Sequence, residues 1–393
     1  MNSGFRLPGK VLLICCAILT YTPSSNAEEA SLSTMAERAK MAASHATQAY
    51  DSENPGAAWL IAYKGKTLVS GAVGRADMEW DLPLTEDTVF RLGSISKTIT
   101  AVGVLQLVEK GLIDLDLPIV TYAPDLPPLI GAVTMRQLMS HRSGLAEHAW
   151  NPALLEFIWQ PMTTEKIIDL QKEFAIDFAP GEKYNYVNFN YVVVAHVIEK
   201  VTGRSYVDFI NTDIFAANQL WDSHYDWHNT IIPRRAEFYD EKDGQIQNAA
   251  DIDLSHVSAA GALMSSISDM ARWAQLLIGG TLISEASLAK AWTPAPLPDG
   301  TPTTYGLGFN VAELVGKRQI WHSGLTPGSQ AAFCIIPEDD LFVVVLSNGF
   351  YLPNTTTLMD EMTTIMLTGS LPAKPDAFTQ WCSRTVPGIA AGA

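Results

Sequence analysis

The sequence predicts an α+β fold. An antiparallel sheet is built from both ends of the chain, with flanking helices and an inserted, mostly helical domain. Three observations carry this expectation. Strand-like apolar runs lie near residue 60 and again beyond residue 300. Between them the apolar period changes to that of helices. The chain has 393 residues, 47% of them hydrophobic, enough for a large core and two lobes. The expected boundaries are 28–114 with 301–370 for the sheet domain, 115–300 for the helical domain, and 371–393 for a loosely held tail.

The first 27 residues read as a secretory signal. Arg6 and Lys10 supply positive charge, and Val11 to Tyr21 form an apolar run too short to span a bilayer comfortably. Ser25 and Ala27 are small residues at both cleavage positions, so the expected cut follows Ala27 and the expected location is periplasmic or secreted. An uncleaved anchor is one alternative. Lipidation of Cys15 or Cys16 is another, disfavoured because a bulky residue or another cysteine precedes each. Removing this segment takes the formal charge from −16 to −18, which repels phosphate backbones and argues against nucleic-acid binding. No stable membrane insertion is expected once the segment is gone. Cys334, in "AAFCII", reads as a core residue. Export permits its pairing with Cys382, but two cysteines are not a disulfide framework, and both states stay open.

Along the mature chain, "AAWLIAY" and "TLVSGAVG" flank "KGK" and read as a hairpin. From Ile95, apolar residues recur at Ile99, Val102, Leu105 and Val108, a helical stripe that stops at Gly111. "TMRQLMSH", "NYVVVAHVIEKVTG" and "SDMARWAQLLIGG" read as helices, the last two with glycine stops. "TYGLGFNVAEL", "RQIWHSG", "SQAAFCIIP" and "LFVVVLSNG" are four strand candidates, and "TTTLMDEMTTIMLTG" is a final helix. A cleft between the two parts is a natural site.

The stretch "RLGSISKTIT" places Ser94 and Lys97 one helical turn apart at a helix start. A serine is a poor nucleophile without a base, and a lysine is a poor base unless desolvation or a positive potential lowers its pKa. The motif is weak alone, because Ser287 to Lys290 repeats it elsewhere and a capping serine with a solvated lysine explains it equally well. Company raises it. Tyr186-Val187-Asn188 is the single Tyr-x-Asn, 92 residues after Ser94. Its phenol suits proton relay, and its amide can orient the lysine and a substrate. His322-Ser323-Gly324 follows 136 residues after Tyr186, at a strand end where glycine lets a substrate backbone approach.

With these blocks the chain resembles the serine β-lactamase and penicillin-binding-protein-like family. It looks most like the branch holding class C β-lactamases, D-alanyl-D-alanine carboxypeptidases, D-aminopeptidases and related esterases. "PLTEDTVFRLGSISK", "TMRQLMSHRSGL", "PGEKYNYVNFNY", "EKVTG", "SAAGALMSSISDMARW", "YGLGF" and "HSGLTPG" carry the likeness from about residue 45 to 350. The resemblance implies that Ser94 is acylated, that Lys97 is its base partner, and that Tyr186 shares the proton transfer. It implies that Asn188 binds the substrate amide and that His322 stands where many relatives carry lysine. It implies an oxyanion hole of the Ser94 and Leu325 backbone N–H groups, beside Gly324. No cofactor is implied. Histidine in place of lysine implies hydrolysis of small esters, amides or D-amino-acid peptides over strong β-lactamase activity. A class C-like β-lactamase and a non-catalytic penicillin-binding relative are the alternatives.

Other candidates are weaker. Asp222, His224, Asp226 and His228 have metal-like spacing but lie in a turn-rich region, so no metal is expected. H-E-x-x-H and G-x-S-x-G are both missing from the sequence. His141 reads as structural, at a helix end, and Trp150, Trp159 and Trp227 read as core or cleft aromatics. The expected partner is a small molecule or short peptide.

Overall fold

Apolar runs from the two ends of the chain pair with each other. In the computed structural model, which describes residues 1, 24–149, 151–174, 176–227 and 229–371, β1 (Ala57–Tyr63) and β2 (Lys66–Val73) form the first hairpin. Its turn, Lys64-Gly65, has φ of 48° and 70°, the left-handed pair that suits tight hairpins of twisted strands. The C-terminal strands are β3 (Asn310–Leu314), β4 (Lys317–Thr326), β5 (Ser329–Ile336) and β6 (Leu341–Ser347). They join β1 through β6, with Ala57 opposite Ser347 and Tyr63 opposite Leu341. The sheet has six strands in the order β3-β4-β5-β6-β1-β2, all pairs antiparallel.

Strand alternation divides the core between two faces. Ala57, Trp59, Ile61 and Tyr63 point to one face, where α1 (Ser24–Gln48) and α5 (Thr355–Thr368) pack. Ala39, Ala42 and Ala46 give α1 a small-residue surface that meets Met359, Met362 and Met366. Buried Cys334 belongs to this layer and has no disulfide partner among the described residues. Ala58 and Leu60 point the other way, into a larger core shared with the helices. There α4 (Ile267–Ile278) packs on β1 and β6, and Trp273 meets Phe309 and Phe333. This second core runs without a break from strand residues such as Phe333 to helix residues such as Val194.

The helical part follows the expected glycine stops. Helix α2 (Ser96–Glu109) is buried nearly all round, not along one stripe, because Thr98 and Thr100 return their hydroxyls to backbone carbonyls. Helix α3 (Phe189–Thr202) ends at Gly203, φ 66°. Short strands lie among the helices and loops of 115–300: His224–Tyr225 and Leu263–Ser265 join Phe90–Arg91 in a small sheet, and Tyr239–Lys242 pairs with Gln245–Asn248. One expectation needs correction. The strand expected across "TYGLGFNVAEL" begins only at Asn310. Gly306 and Gly308 are pressed against Ala291 O and the side of α2, and Gly308 has φ +87°, so the chain turns there.

Of the expected signal segment, residues 2–23, with Cys15 and Cys16, lie outside the described residues, and so do Cys382 and all but the first residue of the tail. Among the described residues no helix is long and apolar enough to cross a membrane.

Phe333 is fully buried between Trp273 and Phe342, so Phe333→Ala is expected to remove about 3–5 kcal/mol. Denaturant unfolding checks this; a loss under about 1 kcal/mol would contradict the shared core.

Candidate active site

The chain buries everything around one hydroxyl. From Thr88 to Leu105 every residue is buried except Ser94. Phe90 and Arg91 pair with Ser265 and Met264, and Leu92 N donates to Leu263 O at 2.8 Å. Gly93 then takes φ +50°, a one-turn 3₁₀ segment spans Gly93–Ile95, and α2 begins. The left-handed residue and the tight turn lift Ser94 out of the strand into the cleft. A buried ion pair, Arg91 Nε to Asp226 at 2.7 Å, anchors the strand, and Arg91 stacks 4.3 Å over Phe238.

The turn is clamped against β4. A Cβ added to Gly324 would lie 1.9 Å from Leu92 O and 2.8 Å from Ser94 N; one on Gly93 would lie 2.6 Å from Leu325 N. Only glycines allow two backbones this close. Leu325 sits opposite Gln330, one step before the hairpin-closing pair Thr326 and Ser329. Alternation in an antiparallel ladder turns its N–H away from β5, toward the Gly93 turn. The backbone N–H groups of Ser94 and Leu325 are therefore brought to the same side of the cleft.

Lys97 is fully buried, and its Nζ has three polar neighbours. Asn188 Oδ1 lies at 2.8 Å, Ala260 O at 2.9 Å, and Ser94 Oγ at 3.0 Å. The first two are carbonyl oxygens that only accept. A neutral amine donates its two N–H groups to them and turns its lone pair to the Ser94 hydroxyl. The walls are aromatic, with the Tyr186 and Tyr191 rings 4.8 and 5.7 Å from Nζ. Burial pushes the Lys97 amine down to about 7, against the opposing pull of the Glu147 carboxylate.

Tyr186 stands over this pair. Burial holds its phenol well above the usual range, although a hydrogen bond with Ser94 opposes the shift. The phenol is neutral and able to give a proton. His141, buried at the end of a short helix with φ 55°, holds this turn. Its Nδ1 accepts from Val187 N and Asn190 Nδ2, each at 3.1 Å, and its ring packs 4.2 Å from that of Tyr186. Its structural reading thus gains a purpose: it shapes the Tyr186–Asn188 segment.

His322 is placed behind the cleft, 2% exposed, with both ring nitrogens engaged. Nδ1 donates to Ser323 O at 2.6 Å, which leaves Nε2 to accept from the Tyr305 hydroxyl at 2.9 Å. Burial, with the nearby Lys97, drops the imidazole to about 3, so it is uncharged at neutral pH. Direct contact with a substrate requires Tyr305 to release it.

Ser94, Lys97, Tyr186 and Asn188 come together as the spacing suggested, with Gly324 and Leu325 alongside. Sequence reasoning missed Glu147, Tyr305 and the Ala260 carbonyl. Glu147 lies in "SGLAEH" with no spacing signal, Tyr305 lies in a stretch read as strand, and a carbonyl has no sequence signature. Of the metal-like cluster, Asp222 pairs with Arg234, Asp226 with Arg91 and Arg235, and His224 lies on a strand; His228 lies outside the described residues. The second S-x-x-K is structural: Ser284 caps the helix of Ser287 and Lys290. Trp227 packs on the core, Trp159 is exposed, and Trp150 lies outside the described residues.

Residues 36–361 match the Beta-lactamase family. The chain belongs to that family. Penicillin-binding protein 4* of Bacillus subtilis is 29% identical over 306 residues, 74% of this chain and 67% of that one. The D-aminopeptidase of Gluconobacter oxydans is 27% identical over 303 residues, 75% of this chain but only 56% of that enzyme. Among solved structures, the octameric penicillin-binding protein homologue from Pyrococcus abyssi superposes with a TM-score of 0.71 at 25% identity, covering 90% of this chain and 79% of that one. The D-amino acid amidase from Ochrobactrum anthropi SV3 gives 0.69 at 24% identity, covering 88% and 99%, which speaks for the fold alone. The β-lactamase/transpeptidase-like fold expected from the sequence is therefore the fold found, and relatives such as the D-aminopeptidase are hydrolases of this family.

Gly324→Ala forces Leu92 and Ser94 away from β4. Its expected effects are a loss of about 1–3 kcal/mol in stability and a roughly 100-fold slower reaction of Ser94 with a fluorophosphonate. Wild-type stability and labelling would mean the clamp is not needed.

Proposed function

We propose that this protein is a serine hydrolase that acts through an acyl-enzyme on small esters, amides or short D-amino-acid-containing peptides. The observation that carries this is the three-way setting of Lys97 Nζ between two carbonyl oxygens and Ser94 Oγ, in a site that keeps the amine near neutrality.

The steps follow from that setting. Ser94 Oγ attacks the substrate carbonyl carbon while its proton passes to the Lys97 lone pair. The developing oxyanion is held by the N–H groups of Ser94 and Leu325, and such a donor is worth about 3 kcal/mol in comparable enzymes. Tyr186 gives its proton to the departing nitrogen or oxygen and regains one from Lys97. The carbon–leaving-group bond breaks, and the acyl group stays on Ser94. Water then attacks by the same route in reverse, losing its proton to the amine, and Ser94 leaves with a proton.

The charge of the site supports this substrate class. A carboxylate beside the scissile bond needs a cation, and His322 in this position is neutral and engaged with Tyr305. This favours esters and amides over substrates recognised through a free carboxylate, such as cephalosporins. The relatives named D-aminopeptidase fit this reading. We also propose, from the apolar N-terminal run and its small-residue cleavage site, that the protein is exported.

A panel of nitrophenyl esters, D-amino-acid amides, D-Ala-D-Ala peptides and a chromogenic cephalosporin tests the proposal. Turnover of esters or amides is expected, falling by about 10³-fold or more in Ser94→Ala. Efficient cephalosporin hydrolysis without ester or amide turnover would overturn the substrate class, and no acyl adduct by mass spectrometry would overturn the enzyme.

A further inference from the structure

We propose that Glu147 and His148 form a buried ion pair that positions Asn188 and, through it, fixes the charge of Lys97. The inference rests on the reading of Lys97 as the base, and it adds two positioning residues to that site.

Glu147 lies in the irregular stretch between the short helices Met135–Met139 and Pro152–Leu155 and reaches Asn188. Its Oε2 accepts from Asn188 N at 2.8 Å and from Asn188 Nδ2 at 3.2 Å. Its Oε1 accepts from His148 N at 2.8 Å, His148 Nδ1 at 2.8 Å and Ala149 N at 3.2 Å. Two carboxylate oxygens offer about four lone-pair directions, so these donors leave none for a substrate. The grip on Asn188 Nδ2 has a geometric consequence. An amide held by its NH₂ end must present its oxygen on the other side, and that oxygen is the one 2.8 Å from Lys97 Nζ. Without Glu147 the amide is free to turn over and offer N–H groups to the amine, which removes one of its two carbonyl acceptors.

His148 completes the unit. It is 1% exposed, and its two ring nitrogens face acceptors: Glu147 Oε1, and His256 O at 2.7 Å. A neutral imidazole has a single N–H, so both contacts are hydrogen bonds only when the ring is cationic. Burial alone would raise the Glu147 carboxyl, but the His148 ring and the backbone N–H groups hold it below the usual range. The negative charge near Lys97 is thus present but partly offset by the imidazolium.

The groups facing Lys97 come from every wall of the cleft: Glu147, the Tyr186 and Tyr191 rings, and, on its far side, His141 and His322, both driven neutral by burial. Glu147 is the one anion among them. Removing it favours the neutral amine; removing its imidazolium partner favours the ammonium.

The test is an NMR titration of Lys97 in protein labelled with [ε-¹³C]lysine, the resonance being assigned by its loss in Lys97→Arg. Glu147→Gln is expected to lower the Lys97 midpoint by about 1 unit, and His148→Gln to raise it. Glu147→Asp keeps the charge but its shorter side chain releases Asn188, so it is expected to recover only part of the midpoint shift, while ester or amide turnover stays reduced by about 10-fold or more. Shifts of opposite sign support the unit. Unchanged midpoints, or shifts of the same sign, overturn it. So does a rise in KM confined to substrates with a free amine, with the Lys97 titration unmoved, since Glu147 would then bind substrate directly. Should Glu147→Gln not fold, His148→Gln still decides, an unchanged midpoint counting against the proposal. The titration reads Lys97 whether or not a substrate is turned over. Failure of the hydrolase reading therefore appears separately, as a wild-type protein that turns over nothing in the panel.

Discussion

A lysine with no exposed surface is the constraint on which the rest of the structure depends. An ammonium in an aromatic pocket is costly unless it is paired, and a neutral amine there still needs partners for its N–H groups. Asn188 Oδ1 and the Ala260 carbonyl meet that need and leave the third direction to Ser94. Everything that makes the amine dry also makes the serine reactive: the Tyr186 and Tyr191 rings, the burial of α2, and the close contact with β4.

Those parts come from distant stretches of chain, so the site exists only when the sheet and the helices are packed together. Ser94 and Lys97 sit on the turn into α2, Ala260 precedes the small strand Leu263–Ser265, and Tyr186 and Asn188 lead into α3. Gly324 and Leu325 close the other side from β4. The hydrophobic core that runs from Phe333 to Val194 spans the two parts, and the paired glycines Gly93 and Gly324 set the spacing at the clamp. The same arrangement explains why His322 carries no charge. The clamp buries the strand end, and Tyr305 takes the nitrogen that a solvated histidine would offer to water.

Much of this was legible in the sequence, for identifiable reasons. β1 spans the run "AAWLIAY" and β6 lies within "LFVVVLSNG", because a strand buried on both faces reads as a short continuous apolar run. Gly203 and Gly369 end helices in left-handed conformations, which only a glycine-like stop can signal. The spacing of Ser94 and Lys97 is local geometry, so a single turn of chain predicts it. Glu147 was invisible because its role depends on Asn188, 41 residues away, and on a hydrogen bond that no periodicity encodes. The strand read across Tyr305 failed because Gly306 and Gly308 serve close backbone approach, a tertiary demand that overrides the apolar pattern. The small strands inside 115–300 are two to four residues long, too short to leave an alternation.

Membership of the Beta-lactamase family sets the scaffold, and the local chemistry of this chain distinguishes it within that scaffold. The central claim is that Lys97 is a neutral amine beside Ser94 near neutral pH. The most direct measurement is the pH dependence of phosphonylation by a fluorophosphonate, with the adduct mapped by mass spectrometry. The account predicts an adduct on Ser94 whose rate of formation rises with a midpoint near 7. An adduct elsewhere, or a rate that climbs only toward the ordinary lysine value of 10.5, would contradict it.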